Sequence, residues 1–67
     1  MSVAKIIEIN SASSKGLEDA VKQGLRKTAK SVKHIKGAWV HDIKVDTDED
    51  GSVTEWRINM RVSFLVE

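Results

Sequence analysis

The chain has 67 residues, no cysteine and a net charge of +1, with charged residues making up 31% of the sequence. These values predict a single domain, residues 1–67, and they exclude disulfides as a source of stability. The balanced charge gives no indication of nucleic-acid or membrane partners, and the apolar runs are too short to span a bilayer. Because no signal-peptide pattern opens the sequence, we expect a soluble cytoplasmic protein. Since so small a core is marginally stable, we expect oligomerisation to supply the remaining stability.

The first two predicted elements are a strand and a helix. Residues 3–9 are rich in β-branched side chains, which favours a strand. Ser13 or Ser14 is expected to cap the following helix, because a serine hydroxyl can accept a hydrogen bond from a free amide of the first turn. Apolar residues then recur every three or four positions from Leu17 to Ile35. This spacing predicts a helix of about five turns, ended by Gly37 in the left-handed conformation.

Gly24 lies in the middle of this predicted helix. A glycine in a helix interior costs about 1 kcal/mol relative to alanine, so its presence needs a structural reason. Close packing of the helix against a sheet is the interpretation we favour.

The second half of the chain predicts a β-hairpin. Residues 38–47 form a strand whose apolar positions change parity, which indicates a bulge near residues 41–42. An acidic segment ending in Asp50-Gly51 predicts the turn. Residues 56–66 then alternate between apolar and polar side chains, as in a strand with one buried face. The fold class is therefore α+β, in the order β-α-β-β, with one helix packed on a three-stranded, mainly antiparallel sheet.

Two tryptophans are candidates for different roles. Trp56 shares the apolar parity of the last strand, which predicts a core or interface position. Trp39 stands near the start of the second strand and is expected to be exposed in a monomer. An exposed indole beside arginines can stack a planar ligand, since aromatic stacking contributes about 0.5–1.5 kcal/mol beyond area burial. Burial of Trp39 in a subunit interface is the alternative, and the residues alone do not separate the two.

The acidic turn matches the first half of an EF-hand calcium loop. Asp46, Asp48 and Asp50 recur at alternate positions and Gly51 follows them. The position that requires a bidentate glutamate is Arg57, and strands rather than helices are predicted on both sides. An acidic hairpin tip is the favoured interpretation, with weak cation binding as the alternative.

Motifs for catalysis are missing from the sequence. It contains no nucleophile elbow, no glycine-rich phosphate loop and no paired nucleophile and base. His34 and His41 alone do not make a metal site. We therefore predict a protein that is not an enzyme, with no catalytic residues and no dedicated metal site.

Four stretches of the sequence together resemble the dodecins, small flavin-binding proteins that assemble into hollow homododecamers. They are residues 3–9 with the serines that follow, 16–25, 27–40 and 57–64. The resemblance implies the same β-α-β-β fold that the residue patterns predict. It also implies assembly of the chain with itself into a dodecamer, and a flavin ligand: riboflavin, FMN or FAD.

The resemblance also implies a set of ligand-binding residues. In flavin-binding dodecins a tryptophan at the start of the second strand stacks on the isoalloxazine ring, and a glutamine on the last strand contacts the ring. Here the tryptophan position falls on Gly37, with Trp39 two residues later, and the glutamine position is Arg57. Trp39 is therefore expected to stack on the ring beside Gly37, Arg57 to orient the ring or the phosphate tail, and Asp46 to make a minor polar contact.

The function implied by the resemblance is storage and sequestration of flavin, in which stacking quenches the excited ring and protects it. The alternative is a dodecin-like shell that has lost flavin and binds cations or another nucleotide cofactor such as coenzyme A. A flavin-using enzyme is disfavoured, because no proton donor is expected near the proposed site.

Overall fold

The computed structural model describes residues 3–66. Four elements follow one another in the predicted order β-α-β-β. They are β1 (Val3–Ser13), α1 (Leu17–Ala29), β2 (Ile35–Thr47) and β3 (Val53–Val66). The one helix among the described residues is too short to cross a membrane.

The three strands form one sheet in the order β1-β3-β2. Both outer strands pair antiparallel with β3, so β1 and β2 run parallel to each other on its two sides. This arrangement confirms the antiparallel sheet predicted from the sequence. It also makes β3, the strand with the clearest alternation, the centre of the fold.

One face of β3 forms the core. Ile58, Met60 and Val62 are fully buried and pack beneath α1, where Ala20 is also fully buried. The period-two pattern therefore predicted the buried face of β3 correctly.

The helix covers only part of this face. At about 1.5 Å per residue the 13 residues of α1 span about 20 Å, whereas the 14 residues of β3 span about 46 Å at ~3.3 Å per residue. Beyond the helix, Ile43 and Val45 pair with Ile58 and Trp56 but remain 60% and 39% exposed. Trp56 itself is half-buried. The far end of the β2–β3 hairpin thus carries apolar side chains that α1 cannot reach.

The helix is shorter than the sequence predicted, and Gly37 does not end it. α1 ends at Ala29. The amides of the next two residues, Lys30 and Ser31, donate hydrogen bonds to carbonyls only three residues earlier. His34, with φ 64°, adopts the left-handed conformation assigned to Gly37, and Gly37 lies inside β2. The apolar spacing continued to Ile35 because this residue starts β2 and packs on the same core. Because the apolar spacing continues from the helix into the first residue of β2, it predicted the end of the helix too late in the sequence.

The predicted serine cap is also wrong, because the N-cap residue is Gly16, which makes no side-chain capping bond. β1 extends to Ser13, so this serine is the last residue of the strand. Its hydroxyl donates to Asp19 Oδ2 at 2.6 Å and accepts from the Lys15 amide at 2.9 Å. The bond to Ser13 is the main cause that lowers the pKa of Asp19 below 3.8.

Gly24 packs closely against the sheet, as predicted. A Cβ at this position would lie 2.8 Å from Met60 Cε and 2.9 Å from Ser11 Cβ. The Ser11 hydroxyl also donates to the Ala20 carbonyl at 2.7 Å, which ties α1 to β1. A side chain at position 24 would push these elements apart.

The hairpin has the predicted bulge and turn. The β2–β3 register shifts between Val40 and Asp42, which places the bulge at His41. In the turn, the Gly51 amide donates to the Asp48 carbonyl at 3.0 Å, and Gly51 has φ 89°. This conformation favours glycine, which explains the Asp50-Gly51 pair.

Candidate functional site

The face of the sheet opposite α1, here called the open face, carries polar and aromatic side chains. Cross-strand pairing arranges its central part in three rows, each with one residue from β1, one from β3 and one from β2. The rows are Glu8–Arg61–Trp39, Asn10–Asn59–Asp42 and Ala12–Arg57–Lys44.

Trp39 stands exposed in the first row, with 58% of its surface accessible. A shallow cleft beside it is lined by Ile6, Trp39, Val40, His41 and Arg61. Gly37 lies two residues away on β2, and a Cβ placed there would meet no atom within 4 Å. The structure therefore brings Trp39 and Gly37 together next to open space, in which a planar molecule can approach the indole.

Arg61 lies directly across from Trp39 in the β2–β3 register. Its Nε is 3.5 Å from Glu8 Oε2, and the same oxygen is 3.5 Å from Nε2 of His41. Glu8 is thus the ion-pair partner of Arg61. Because Arg61 makes no side-chain hydrogen bond within residues 3–66, its terminal nitrogens remain available to bind a ligand.

Arg57 lies in a different row and is held there by neighbouring side chains. Its two terminal nitrogens donate to Asn10 Oδ1 and, at 2.9 Å, to Glu55 Oε1. Arg57 precedes Arg61 by four positions, about 13 Å along a strand. The structure does not bring Arg57 and Trp39 together within one chain.

The middle row separates the two arginines. Asn10 Nδ2 donates to Asn59 Oδ1 at 2.6 Å, and Asn59 Nδ2 donates to Asp42 Oδ2 at 3.5 Å. These bonds cross all three strands. They divide the open face into the Trp39 end and the Arg57 end.

Asp46 also lies at the Arg57 end. It pairs with Glu55 in the sheet, and its Oδ1 is 3.5 Å from Nζ of Lys44. Seven positions separate it from Trp39, about 23 Å along β2 at ~3.3 Å per residue. A ligand that touches both residues would therefore have to lie between two subunits.

In the acidic turn, an aspartate side chain binds a backbone amide of the same turn. Asp50 Oδ1 accepts from the Ser52 amide at 2.9 Å, and this bond is the main cause that lowers the pKa of Asp50. In the part of the chain described by the structure, no three His, Cys, Asp or Glu side chains are grouped to hold a metal ion. Within one chain the turn is thus a hairpin tip.

Comparison with known protein families identifies the family of the chain. The family model for dodecin matches residues 3–67. The chain belongs to the dodecin family. No match was found among curated protein sequences.

Solved dodecin structures show the same fold. A Thermus thermophilus dodecin, solved as an R-to-A mutant, is 30% identical, with a TM-score of 0.91 over 100% of this chain and 98% of that chain. The dodecin from Streptomyces davaonensis is 17% identical and has a TM-score of 0.90, covering 98% of this chain and 96% of that one. A Mycobacterium tuberculosis protein is described as a calcium dodecin with a calcium-binding site. It is 30% identical, with a TM-score of 0.81 over 98% of this chain and 93% of that chain.

In this dodecin three residues around Trp39 were not among the predicted flavin-binding residues: Arg61, Glu8 and His41. A signal for Arg61 was present. Counting residue pairs back from the turn, with one extra residue at the bulge, places Trp39 opposite Arg61. Glu8 gave no such signal, because its register depends on the pairing of β1, which is distant in sequence.

Proposed function

We propose that this dodecin binds and stores a flavin in the cytoplasm by stacking the isoalloxazine ring on Trp39. The observation that carries the proposal is an exposed indole on a rigid sheet, beside a cleft and a glycine that leaves room for a ring. Stacking would quench the excited ring and keep it from photochemical reactions. Riboflavin, FMN and FAD share this ring and are the candidate ligands.

The proposal includes assembly of the chain into a closed homododecamer. Dodecin-family proteins are small oligomeric assemblies, and one α1 leaves Ile43 and Val45 exposed at the far end of the hairpin. Burying these side chains between subunits would stabilise a chain whose own core is small. Arg57 and Asp46 would then meet the flavin only from a neighbouring subunit, as contacts to the ring edge.

The proposed function is not enzymatic. Around Trp39, the ionisable groups are Glu8, Arg61 and His41, and the Glu8 carboxylate is already shared between the other two. This arrangement supports holding a ligand. A turnover assay with reduced nicotinamide and bound flavin should show no rate above that of free flavin.

The test is a riboflavin titration followed by quenching of flavin fluorescence. Trp39→Ala should weaken binding at least about tenfold, equivalent to ~1.4 kcal/mol, while Trp39→Phe should retain part of the affinity. Trp56→Ala is the matched control. It removes the other indole and should lower stability while any assembled protein still binds flavin. Unchanged affinity in an assembled Trp39→Ala protein, or absence of binding to the wild type, would reject the proposal.

A second candidate function is cation binding by a shell that holds no flavin. The calcium dodecin from M. tuberculosis favours it. Because residues 3–66 of a single chain contain no grouped metal ligands, such a site would have to form between subunits. Calcium titration calorimetry of the assembled protein, with and without Asp48→Asn, distinguishes this candidate from flavin binding. The same titration with coenzyme A tests the nucleotide alternative.

A further inference from the structure

The two arginines of the open face differ in what they already bind. Both terminal nitrogens of Arg57 donate to protein oxygens, one on Asn10 and one on Glu55. Arg61 contacts Glu8 through Nε, and its terminal nitrogens donate to no residue between 3 and 66. Two of the five N–H donors of Arg57 are therefore already engaged, one on each terminal nitrogen, whereas the terminal nitrogens of Arg61 are free of hydrogen bonds to residues 3–66.

Arg61 is also the arginine beside the indole. Directly opposed residues of an antiparallel pair have Cβ atoms about 4.5–5.5 Å apart, and Trp39 and Arg61 are such a pair. A guanidinium donates hydrogen bonds and accepts none, and its planar fork matches carboxylate and phosphate oxygens. A planar molecule stacked on Trp39 therefore has a cationic donor at its side.

From this geometry we propose that Arg61, rather than Arg57, binds the anionic group of a flavin held on Trp39. The site is then selective for flavins that carry a phosphate, and FMN binds more tightly than riboflavin. The inference rests on the proposed function and adds the ligand's charge to it. Arg57 keeps only the proposed contact to the ring edge from a neighbouring subunit.

Glu8 opposes this selectivity. Its Oε2 lies 3.5 Å from Arg61 Nε, so the carboxylate both occupies one edge of the guanidinium and repels an incoming phosphate. His41 Nε2, also 3.5 Å from this oxygen, holds Glu8 in the same place. Replacing the carboxylate by an amide should therefore strengthen phosphate binding, which is the opposite of the effect of removing Arg61.

The experiment measures the ratio of the riboflavin Kd to the FMN Kd at low ionic strength, in proteins whose assembly is checked by native mass spectrometry. Arg61→Gln should lower the ratio about tenfold or more, the effect expected when a hydrogen bond to a charged group is lost. Glu8→Gln should raise it, and both effects should shrink at high salt because the charges are exposed. Arg26→Gln, the same change on an exposed part of α1, should leave the ratio unchanged.

The possible results distinguish the assignment to Arg61, the selectivity for phosphate and the proposed binding of flavin. A ratio that falls in Arg57→Gln and not in Arg61→Gln would overturn the assignment and place the phosphate at the other arginine. A ratio unaffected by Arg61→Gln and Glu8→Gln would overturn the selectivity itself. If Arg61→Gln fails to assemble, Glu8→Gln still decides, because an unchanged or lower ratio contradicts the proposal. Failure of the wild type to bind either flavin would reject the proposed function instead, and this outcome is seen before any variant is compared.

Discussion

The two faces of β3 show opposite kinds of surface on one strand. On the α1 side, Met60 is fully buried and Gly24 leaves no room for a methyl group. On the open face, Trp39 and Arg61 lie side by side and both are exposed to solvent. On a single strand, the residues that face α1 therefore contribute to stability, and the alternate residues are free to bind a ligand. Substitutions on the two faces should therefore affect different measurements.

The largest effect on stability is expected from Met60→Ala. Removing a fully buried methionine side chain costs about 2–5 kcal/mol of unfolding free energy, from lost burial and the cavity that remains. Denaturant unfolding measures it, at one protein concentration for all variants because unfolding of an oligomer depends on concentration. Met60→Leu, which conserves volume, should cost less than about 1.5 kcal/mol. Equal losses for both variants would mean that the core tolerates no change of shape.

Gly24→Ala should destabilise the protein by up to about 2 kcal/mol, even though alanine is the better helix former. Overpacking costs about 1–3 kcal/mol, and here it opposes a helix-propensity gain of about 1 kcal/mol. Met60 Cε can move, but Ser11 Cβ is fixed to β1, so the clash is not fully relieved. Arg26→Ala, on the exposed side of α1, should change stability by less than about 0.5 kcal/mol. A stabilised Gly24→Ala protein would show that α1 and the sheet are less closely packed than the structure shows.

Ser13→Ala should cause a smaller loss that depends on pH. The Ser13 hydroxyl lowers the folded-state pKa of Asp19 below its ordinary value of 3.8. A lowered carboxyl pKa stabilises the fold above the ordinary pKa, and this contribution is lost as the pH falls through the folded value. The difference between wild type and variant should therefore be largest near neutral pH and shrink below about pH 4. A difference that stays constant from pH 7 to pH 3 would mean that Asp19 does not contribute through its charge.

Asn59→Ala on the open face should have the smallest effect on unfolding, about 0.5 kcal/mol or less. Its bonds to Asn10 and Asp42 are exposed, and water can replace them. Riboflavin affinity should also stay within about threefold of the wild type, since Asn59 lies one row away from Trp39. A loss comparable to that of Gly24→Ala would contradict the separation of the two faces.

The sequence predicted those parts of the fold that follow from local periodicity. Alternation in β3 gave its buried face, and the parity change in β2 gave the bulge at His41. The end of α1 was missed because Ile35 continues a helical spacing while serving the core from a strand. Helical periodicity alone therefore does not predict the residue at which a helix ends.

The candidate site was predictable only in part, for a similar reason. The exposure of Trp39 follows from its position in β2, and a count from the turn would have placed Arg61 beside it. The separation of Arg57 from Trp39 depends on inter-strand register, and its bonds depend on Asn10, which is 47 residues away in sequence. Contacts between distant segments are set by tertiary packing, which a single sequence does not display.

The most direct test is a crystal structure of the assembled protein with FMN bound. The isoalloxazine ring should lie parallel to the Trp39 indole on the open face, with a terminal nitrogen of Arg61 within hydrogen-bonding distance of the phosphate. Trp39 packed against another subunit with no room for a ring, or FMN bound on a different surface, would contradict a flavin site on the open face.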